Sequence, residues 1–195
     1  STDEVYGDIS SGEHTEEDLL KPSNPYSASK AAADMLIFAW ARTYGIKYNI
    51  IRPTNNYGIG QYPEKLIPIS VKNLMRGKKI KLHDEGQPIR NWLHSSDTAS
   101  AVVSIIESGA SNEIFNVSSD FEQKNIDTVR KIIHSYFGEE MDIGEYIDLG
   151  HNRKGQDVRY ALNDDKIKAL GWSPKMNFDN EIGRIVEDYS TKFRW

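Results

Sequence analysis

Asn24-Pro25-Tyr26-Ser27-Ala28-Ser29-Lys30 opens an alanine-rich run that continues to Tyr44 and stops at Gly45, and Lys47-Tyr48-Asn49-Ile50-Ile51-Arg52-Pro53 follows it. Alanine is the best helix former, and a proline in the first turn suits the start of a helix, where Asn24 or Ser23 can cap the free amides. A glycine just past the end is the usual stop. The second run is apolar and ends at a proline, as a strand does. A helix followed at once by a strand sets the pattern for the whole chain.

Outward from this pair the alternation repeats. Helices are predicted over Glu64 to Arg76, from a Ser96-Asp97 cap to Gly109, over Asn125 to Phe137, and near Asp164–Leu170 and Phe178–Phe193. Strands are predicted over Ile80 to His83 and Glu113 to Val117. In Asn125–Phe137 the apolar residues Ile126, Val129, Ile132, Ile133 and Phe137 form one stripe. Short strands between longer helices read as an α/β architecture.

With 38% hydrophobic and 27% charged residues over 195 positions, the chain can bury a core and does not read as disordered. A net charge of −5 argues against a nucleic-acid surface, and the short basic stretch Arg76-Gly77-Lys78-Lys79-Ile80-Lys81 reads as a solvated turn. There are no cysteines, which rules out disulfides and thiolate chemistry and suits a reducing, cytoplasmic compartment. No apolar run approaches the roughly 20 residues of a membrane span. Asn116-Val117-Ser118 matches a glycosylation acceptor but lies in a strand-like apolar run, so it reads as chance. A dinucleotide-binding unit opens with a strand, a glycine-rich turn and a helix. The chain has none: Tyr57-Gly58-Ile59-Gly60-Gln61 leads into Tyr62-Pro63 instead. It is therefore expected to be a fragment of a longer protein and, alone, to bind a dinucleotide weakly.

Tyr26 and Lys30 stand four residues apart, which on a helix places phenol and ammonium on one face. A nearby cation favours phenolate, so Lys30 is expected to lower the pKa of Tyr26 and ready it as a base. Such a spacing alone is more often an exposed cation–aromatic contact. Asp3-Glu4 alone would read as a solvated acidic loop. Successive side chains of a strand point to opposite faces, so these two carboxyls can serve one ligand only if the backbone turns there.

Together the segments say more. Ser1-Thr2-Asp3-Glu4-Val5-Tyr6-Gly7, Pro25-Tyr26-Ser27-Ala28-Ser29-Lys30, Asn55-Asn56-Tyr57-Gly58, Pro63-Glu64-Lys65-Leu66-Ile67-Pro68 and Ile89-Arg90-Asn91-Trp92-Leu93 occur in this order. In them the chain resembles the extended short-chain dehydrogenase/reductase family and, within it, the nucleotide-sugar 4,6-dehydratases. The resemblance implies the C-terminal half of a Rossmann-like doubly wound parallel sheet plus a small α/β substrate-binding domain. It places residues 1–57 and 95–118 in the first and 58–94 and 119–195 in the second. It implies NAD as cofactor and a nucleotide-diphosphate glucose, dTDP-glucose foremost, as substrate. Oxidation at C4 makes the C5 proton acidic; Glu4 is the implied base, Asp3 the acid for the C6 hydroxyl, and reduction at C6 completes the turnover. Thr2, Tyr26 and Lys30 are implied at C4, with Tyr26, Lys30 and Asn56 toward the cofactor. Asn55, Lys65, Leu66, His83, Arg90, Asn125 and Arg153 are implied to hold the substrate.

Two segments depart from the pattern. Lys81-Leu82-His83 stands where the nucleobase segment runs Pro-x-Tyr, and Arg153-Lys154-Gly155-Gln156 stands for Arg-Pro-Gly-His. Thymidine and uridine both stay open. So do a related epimerase or decarboxylase, and a non-catalytic binding or dimerisation piece, since the Tyr-x-x-x-Lys helix of this family often builds a homodimer. Neither nucleic acid nor membrane is an expected partner.

Overall fold

A computed structural model describes residues 1–138, 141–152 and 157–192. In chain order these form α1 (Pro25–Tyr44), β1 (Asn49–Pro53), β2 (Asn55–Tyr57), α2 (Leu66–Met75), β3 (Ile80–His83), β4 (Ile89–His94), α3 (Ser95–Glu107), β5 (Glu113–Val117), β6 (Glu122–Lys124), α4 (Asn125–Phe137), β7 (Ile147–His151), α5 (Asp165–Lys168) and α6 (Phe178–Thr191). A 3₁₀ turn, Asp3–Tyr6, precedes them all.

The architecture is α/β with parallel strands. β1 runs parallel to β5, β2 to β4, and β3 to β7, while β4 pairs antiparallel with β6. Among the described residues the strands form three small sheets, ordered β1-β5, β2-β4-β6 and β3-β7. Thr54 separates β1 from β2. Its amide donates to Val117 of β5 and its hydroxyl to Asn91 of β4, so this one residue links the first two sheets.

The largest apolar cluster joins Ile67, Val71 and Leu74 of α2, Val129, Ile132 and Ile133 of α4, and Ile182, Ile185, Val186 and Tyr189 of α6 against Leu82 and Trp92. Of the stripe expected on α4, Val129, Ile132 and Ile133 are buried and Ile126 partly so, whereas Phe137 is 41% exposed near the helix end. A second cluster packs Ala101 and Ile105 of α3 onto Phe115 and Val117 of β5, with Ile167 and Trp172. A third is small: Val5 and Tyr6 of the 3₁₀ turn, Ala31 of α1, and Leu162.

Local chemistry explains the boundaries. Pro25 opens α1, Asn24 Oδ1 caps it by accepting from the Ser27 amide, and Gly45 closes it in the left-handed conformation. The start of α3 differs from expectation. His94 caps it through Nδ1, while the Asp97 carboxylate accepts from the amides of Lys175 and Met176 and so ties the segment before α6 to the helix. Asn116 is buried within β5 and its amide donates to the carbonyls of His14 and Asn163, consistent with a chance sequon. Arg76 to Lys79 are exposed, as a solvated turn should be. Helix α6 is observed to Thr191; Phe193 lies outside the described residues.

Candidate active site

The polar N-terminal segment turns where its two carboxyls stand. Thr2 is the last extended residue, and Asp3 and Glu4 begin the 3₁₀ turn. At three residues per turn, neighbouring side chains fan out by about 120° instead of the 180° of a strand. Both carboxyls can therefore address one region. Thr2 Oγ1 donates to Asp3 Oδ1 at 3.0 Å and accepts from the Glu4 amide at 3.4 Å. Gly7 closes the turn with φ +85°, and a Cβ there would lie 2.5 Å from the Lys21 carbonyl oxygen. Only glycine combines that backbone with that approach.

Asp3 and Glu4 meet different surroundings. Asp3 is 3% exposed, and its Oδ2 is buried with no hydrogen-bond partner among the described residues. Burial pushes its pKa up to about 7; the Thr2 hydroxyl draws it down, the neighbouring Glu4 raises it further, and Arg90 lowers it. Glu4 is half-buried and well supplied with donors. Its Oε2 accepts from Ser27 Oγ at 3.0 Å and from Asn24 Nδ2 at 3.4 Å.

Tyr26 and Lys30 lie on α1 one turn apart, with Tyr26 exposed and Lys30 half-buried. The expected effect of Lys30 on Tyr26 is corrected here. Partial burial, then Glu4, then Asp3 push the phenol up. No hydrogen bond joins Tyr26 to Lys30 among the described residues, so burial, with the two nearby carboxyls adding to it, leaves the phenol harder to ionise than usual. Thr2, Asp3, Glu4 and Tyr26 thus fall together, with Lys30 one turn along the helix.

The remaining candidates spread over the neighbouring elements. Asn55 and Asn56 are on β2, and the Asn56 amide is engaged at both ends: Nδ2 donates to the Thr54 carbonyl and Oδ1 accepts from Thr98 Oγ1. Lys65 caps α2 and is exposed, 3.8 Å from Glu64; Leu66 is the first residue of the helix. Arg90 in β4 reaches this centre. Its guanidinium donates to the carbonyls of Ile89, Val158 and Asp157 and lies over the Tyr160 ring, 5.1 Å from its centroid. Asn125 opens α4 with its Oδ1 buried and unpartnered among the described residues; the same is true of both amide atoms of Gln123, which faces Arg90 across the β4–β6 pair. His83 is exposed at the end of β3, opposite His151 of β7. No hydrogen bond or ion pair among the described residues joins Lys65, His83 or Asn125 to the Thr2–Glu4 turn. Arg153 lies outside the described residues.

Sequence reasoning missed a second layer behind Glu4. Asn24 Nδ2 donates to Glu4 and also to Asp157 Oδ2 at 3.4 Å, and the Tyr160 hydroxyl donates to that same Asp157 oxygen. Asn24 was visible only as a helix cap, and Ser27 only as part of the Tyr-x-x-x-Lys segment. Asp157, 133 residues from Asn24, had no local signal.

Residues 1–185 match the family model described as GDP-mannose 4,6 dehydratase. The chain is 38% identical to the low-salt glycan biosynthesis protein Agl12 of Haloferax volcanii, over 97% of this chain and 60% of that protein. It is 38% identical to dTDP-glucose 4,6-dehydratase 1 of Escherichia coli K12, over 100% of this chain and 58% of the relative. The crystal structure of DesIV, a dTDP-glucose 4,6-dehydratase from Streptomyces venezuelae with NAD bound, superposes with a TM-score of 0.90 at 37% identity, covering 98% of this chain and 58% of that one. This chain spans about three fifths of the length of these proteins.

Proposed function

Since the chain belongs to the GDP-mannose 4,6 dehydratase family, we propose that it carries the acid–base centre of a nucleotide-sugar 4,6-dehydratase acting on dTDP-glucose with NAD as cofactor. The observation that carries this reading is the unlike pair of adjacent carboxyls. Asp3 is dry and holds a proton near neutral pH, while Glu4 accepts two hydrogen bonds at one oxygen. Elimination of water needs one group of each kind, and opposed environments are how two carboxyls take separate roles.

The chain's residues fit the redox end of NAD. Tyr26 and Lys30 present a phenol and an ammonium on one helix face, and neither side chain forms a hydrogen bond or ion pair with the rest of the chain among the described residues. NAD, when bound, supplies the oxidation at C4 and the reduction that completes the reaction at C6. Tyr26 takes the proton of the C4 hydroxyl, with the Thr2 hydroxyl bonded to the same oxygen and Lys30 one turn along the helix. Glu4 then removes the C5 proton, acidic beside the C4 ketone, and Asp3 protonates the departing C6 hydroxyl. Arg90 and Lys65, with Arg153, hold the diphosphate; Asn55, Leu66, His83 and Asn125 contact the sugar, ribose and base. Asn56 stands toward the cofactor and depends on Thr98 for its orientation. We place residues 1–57 and 95–118 with the cofactor and the remainder with the substrate. A homodimer through α1 and a cytoplasmic location belong to the same proposal; among the described residues, no helix is long and apolar enough to cross a membrane.

The test is product analysis with the protein as its natural gene encodes it. Incubation of dTDP-glucose should yield the 4-keto-6-deoxy sugar, and Glu4→Gln should retain slow C4 oxidation while water loss and C5 exchange with solvent cease. A C4 epimer as the product, or C5 exchange in Glu4→Gln at the unaltered rate, would overturn the reading.

A further inference from the structure

Behind the turn that carries Glu4, one amide touches two carboxylates and a helix end. Asn24 Oδ1 accepts from the Ser27 amide at 3.0 Å, which caps α1. That bond fixes which way the amide faces. Its Nδ2 must then point away from the helix, and it lies 3.4 Å from both Glu4 Oε2 and Asp157 Oδ2. The opposite orientation would set a carbonyl oxygen against two carboxylates and leave the helix uncapped, so the chemistry selects the orientation seen. Ser27, three residues on and fully buried, adds a hydroxyl donated to the same Glu4 oxygen at 3.0 Å. Both donors converge on Oε2, whereas Oε1 accepts no hydrogen bond among the described residues.

We infer that Asn24 and Ser27 are positioning residues for Glu4: they anchor Oε2 so that Oε1 alone faces the substrate, and Asn24 separates Glu4 from Asp157. The inference rests on Glu4 acting as the C5 base, as proposed above. A carboxylate that rotates freely presents either oxygen over a wide arc, and proton abstraction depends on a narrow approach to the C–H bond. Two donors on one oxygen remove that freedom. Donors to an ionised group are also the stronger kind. Asp157 enters because it is buried, 7% exposed, and already accepts from the Tyr160 hydroxyl. The Asn24 amide is thus shared between two carboxyl groups, 3.4 Å from an oxygen of each. Arg90, assigned to the diphosphate, donates to the Asp157 carbonyl at 3.1 Å, so the residue that shares the Asn24 amide with Glu4 also touches the residue proposed to hold the nucleotide.

The experiment compares Ser27→Ala, Asn24→Asp and Asn24→Ser in the protein as its gene encodes it. Three readings are taken: C4 oxidation as reduced cofactor, deuterium entry at C5 from heavy water, and the melting temperature. Losing a hydrogen bond to a charged group should slow C5 exchange and dehydration about ten- to a hundredfold in Ser27→Ala, while C4 oxidation changes less than about threefold. Asn24→Asp and Asn24→Ser both keep an N-cap, so both should melt close to the unaltered protein. They part at Glu4: aspartate replaces the donor with a third carboxylate and should cut C5 exchange at least tenfold more than serine, whose hydroxyl can still donate. Equal slowing of oxidation and exchange, or none in either, would refute the positioning role. If Asn24→Asp does not fold, Ser27→Ala decides alone. An unaltered protein that dehydrates no nucleotide sugar overturns the functional reading, and this inference with it. An active protein with Glu4→Gln blocked and Ser27→Ala unaffected overturns only the inference.

Discussion

Asp3 carries opposite consequences for stability and for chemistry. Its folded pKa stands at about 7, above the ordinary 3.8, chiefly because burial penalises the charged form. A raised folded pKa in an acid means that the folded state binds the proton more tightly than the unfolded one. The stabilisation is complete below about pH 3.8 and drains away as pH rises through about 7. Asp3→Asn keeps the shape and removes the titration. Its melting temperature should match the unaltered protein near pH 4 and exceed it progressively to pH 8. With a rise from 3.8 to about 7, the gap at pH 8 corresponds to on the order of 4 kcal/mol, at about 1.4 kcal/mol per pKa unit. Thermal melts across this range check it; a gap that is constant with pH would refute the buried, protonated carboxyl. Dehydration by the unaltered protein should also weaken above pH 7, as the acid form is lost. At this scale the sequence was legible for which residues come together, since Asp3, Glu4 and Tyr26 do fall in one place. It was not legible for environment: nothing in Ser-Thr-Asp-Glu says which carboxyl is dry. The turn that carries it packs through Val5 and Tyr6 against Ala31 and Leu162, drawn from three parts of the chain.

Helix α1 must hold Tyr26 and Lys30 against a turn that contributes few apolar contacts. Its buried face is small and polar, made of Ser27, Ala31 and Asp34. The binding force at Asp34 is ionic. Asp34 Oδ2 accepts from Arg52 Nε at 3.1 Å and lies 3.0 Å from the other guanidinium nitrogen, with both residues 2% exposed. Arg52 Nη1 donates to the Tyr6 hydroxyl at 2.7 Å, and Tyr6 donates to Asn116 of β5 at 2.9 Å. One chain of polar contacts therefore runs from α1 through β1 and the 3₁₀ turn to β5. Breaking it from one side leaves a buried guanidinium uncompensated, so Asp34→Ala should cost about 3–5 kcal/mol in chemical denaturation. Asp34→Leu with Arg52→Met should recover most of that loss, and a double variant as unstable as the single would show that the pair does more than cancel its own charge. Elements were legible where periodicity or capping is local. Helices α1, α2, α4 and α6 and strands β1, β3 and β5 follow from their own residues. Strands β2, β4, β6 and β7 do not, because Asn55–Tyr57 and Glu122–Lys124 are three residues each and Arg90 and Asn91 break any apolar pattern in β4. Those strands exist because a partner supplies the hydrogen bonds, and strand propensity is largely a statement about neighbours.

On the scale of the whole molecule, the outer face of α1 is the feature left without a role inside the chain. Met35, Leu36, Trp40 and Tyr44 are 48%, 61%, 54% and 65% exposed, and Ile46 just beyond the helix is 45% exposed. Trp40 and Tyr44 pack on each other, with ring centroids 4.7 Å apart, and form one apolar ridge. A row of large apolar side chains on one helix face is not the scatter of single residues that ordinary surfaces carry. The opposite face of the same helix holds Ser27 against Glu4. Two copies meeting through α1 would pair ridge with ridge about a twofold axis, since such an interface is self-complementary. Light scattering with the protein as its gene encodes it should give the mass of a dimer. Trp40→Glu or Leu36→Glu, placing a charge in the centre of the contact, should give a monomer and at least a tenfold weaker association, in keeping with the weight that aromatic anchors carry in interfaces. A mass of one chain before substitution, or a dimer unmoved by both, would assign the ridge to contacts within a single copy instead. If the dimer does dissociate, loss of dehydration in the monomer would further tie assembly to catalysis, because α1 presents the apolar ridge on one face and Ser27 on the other.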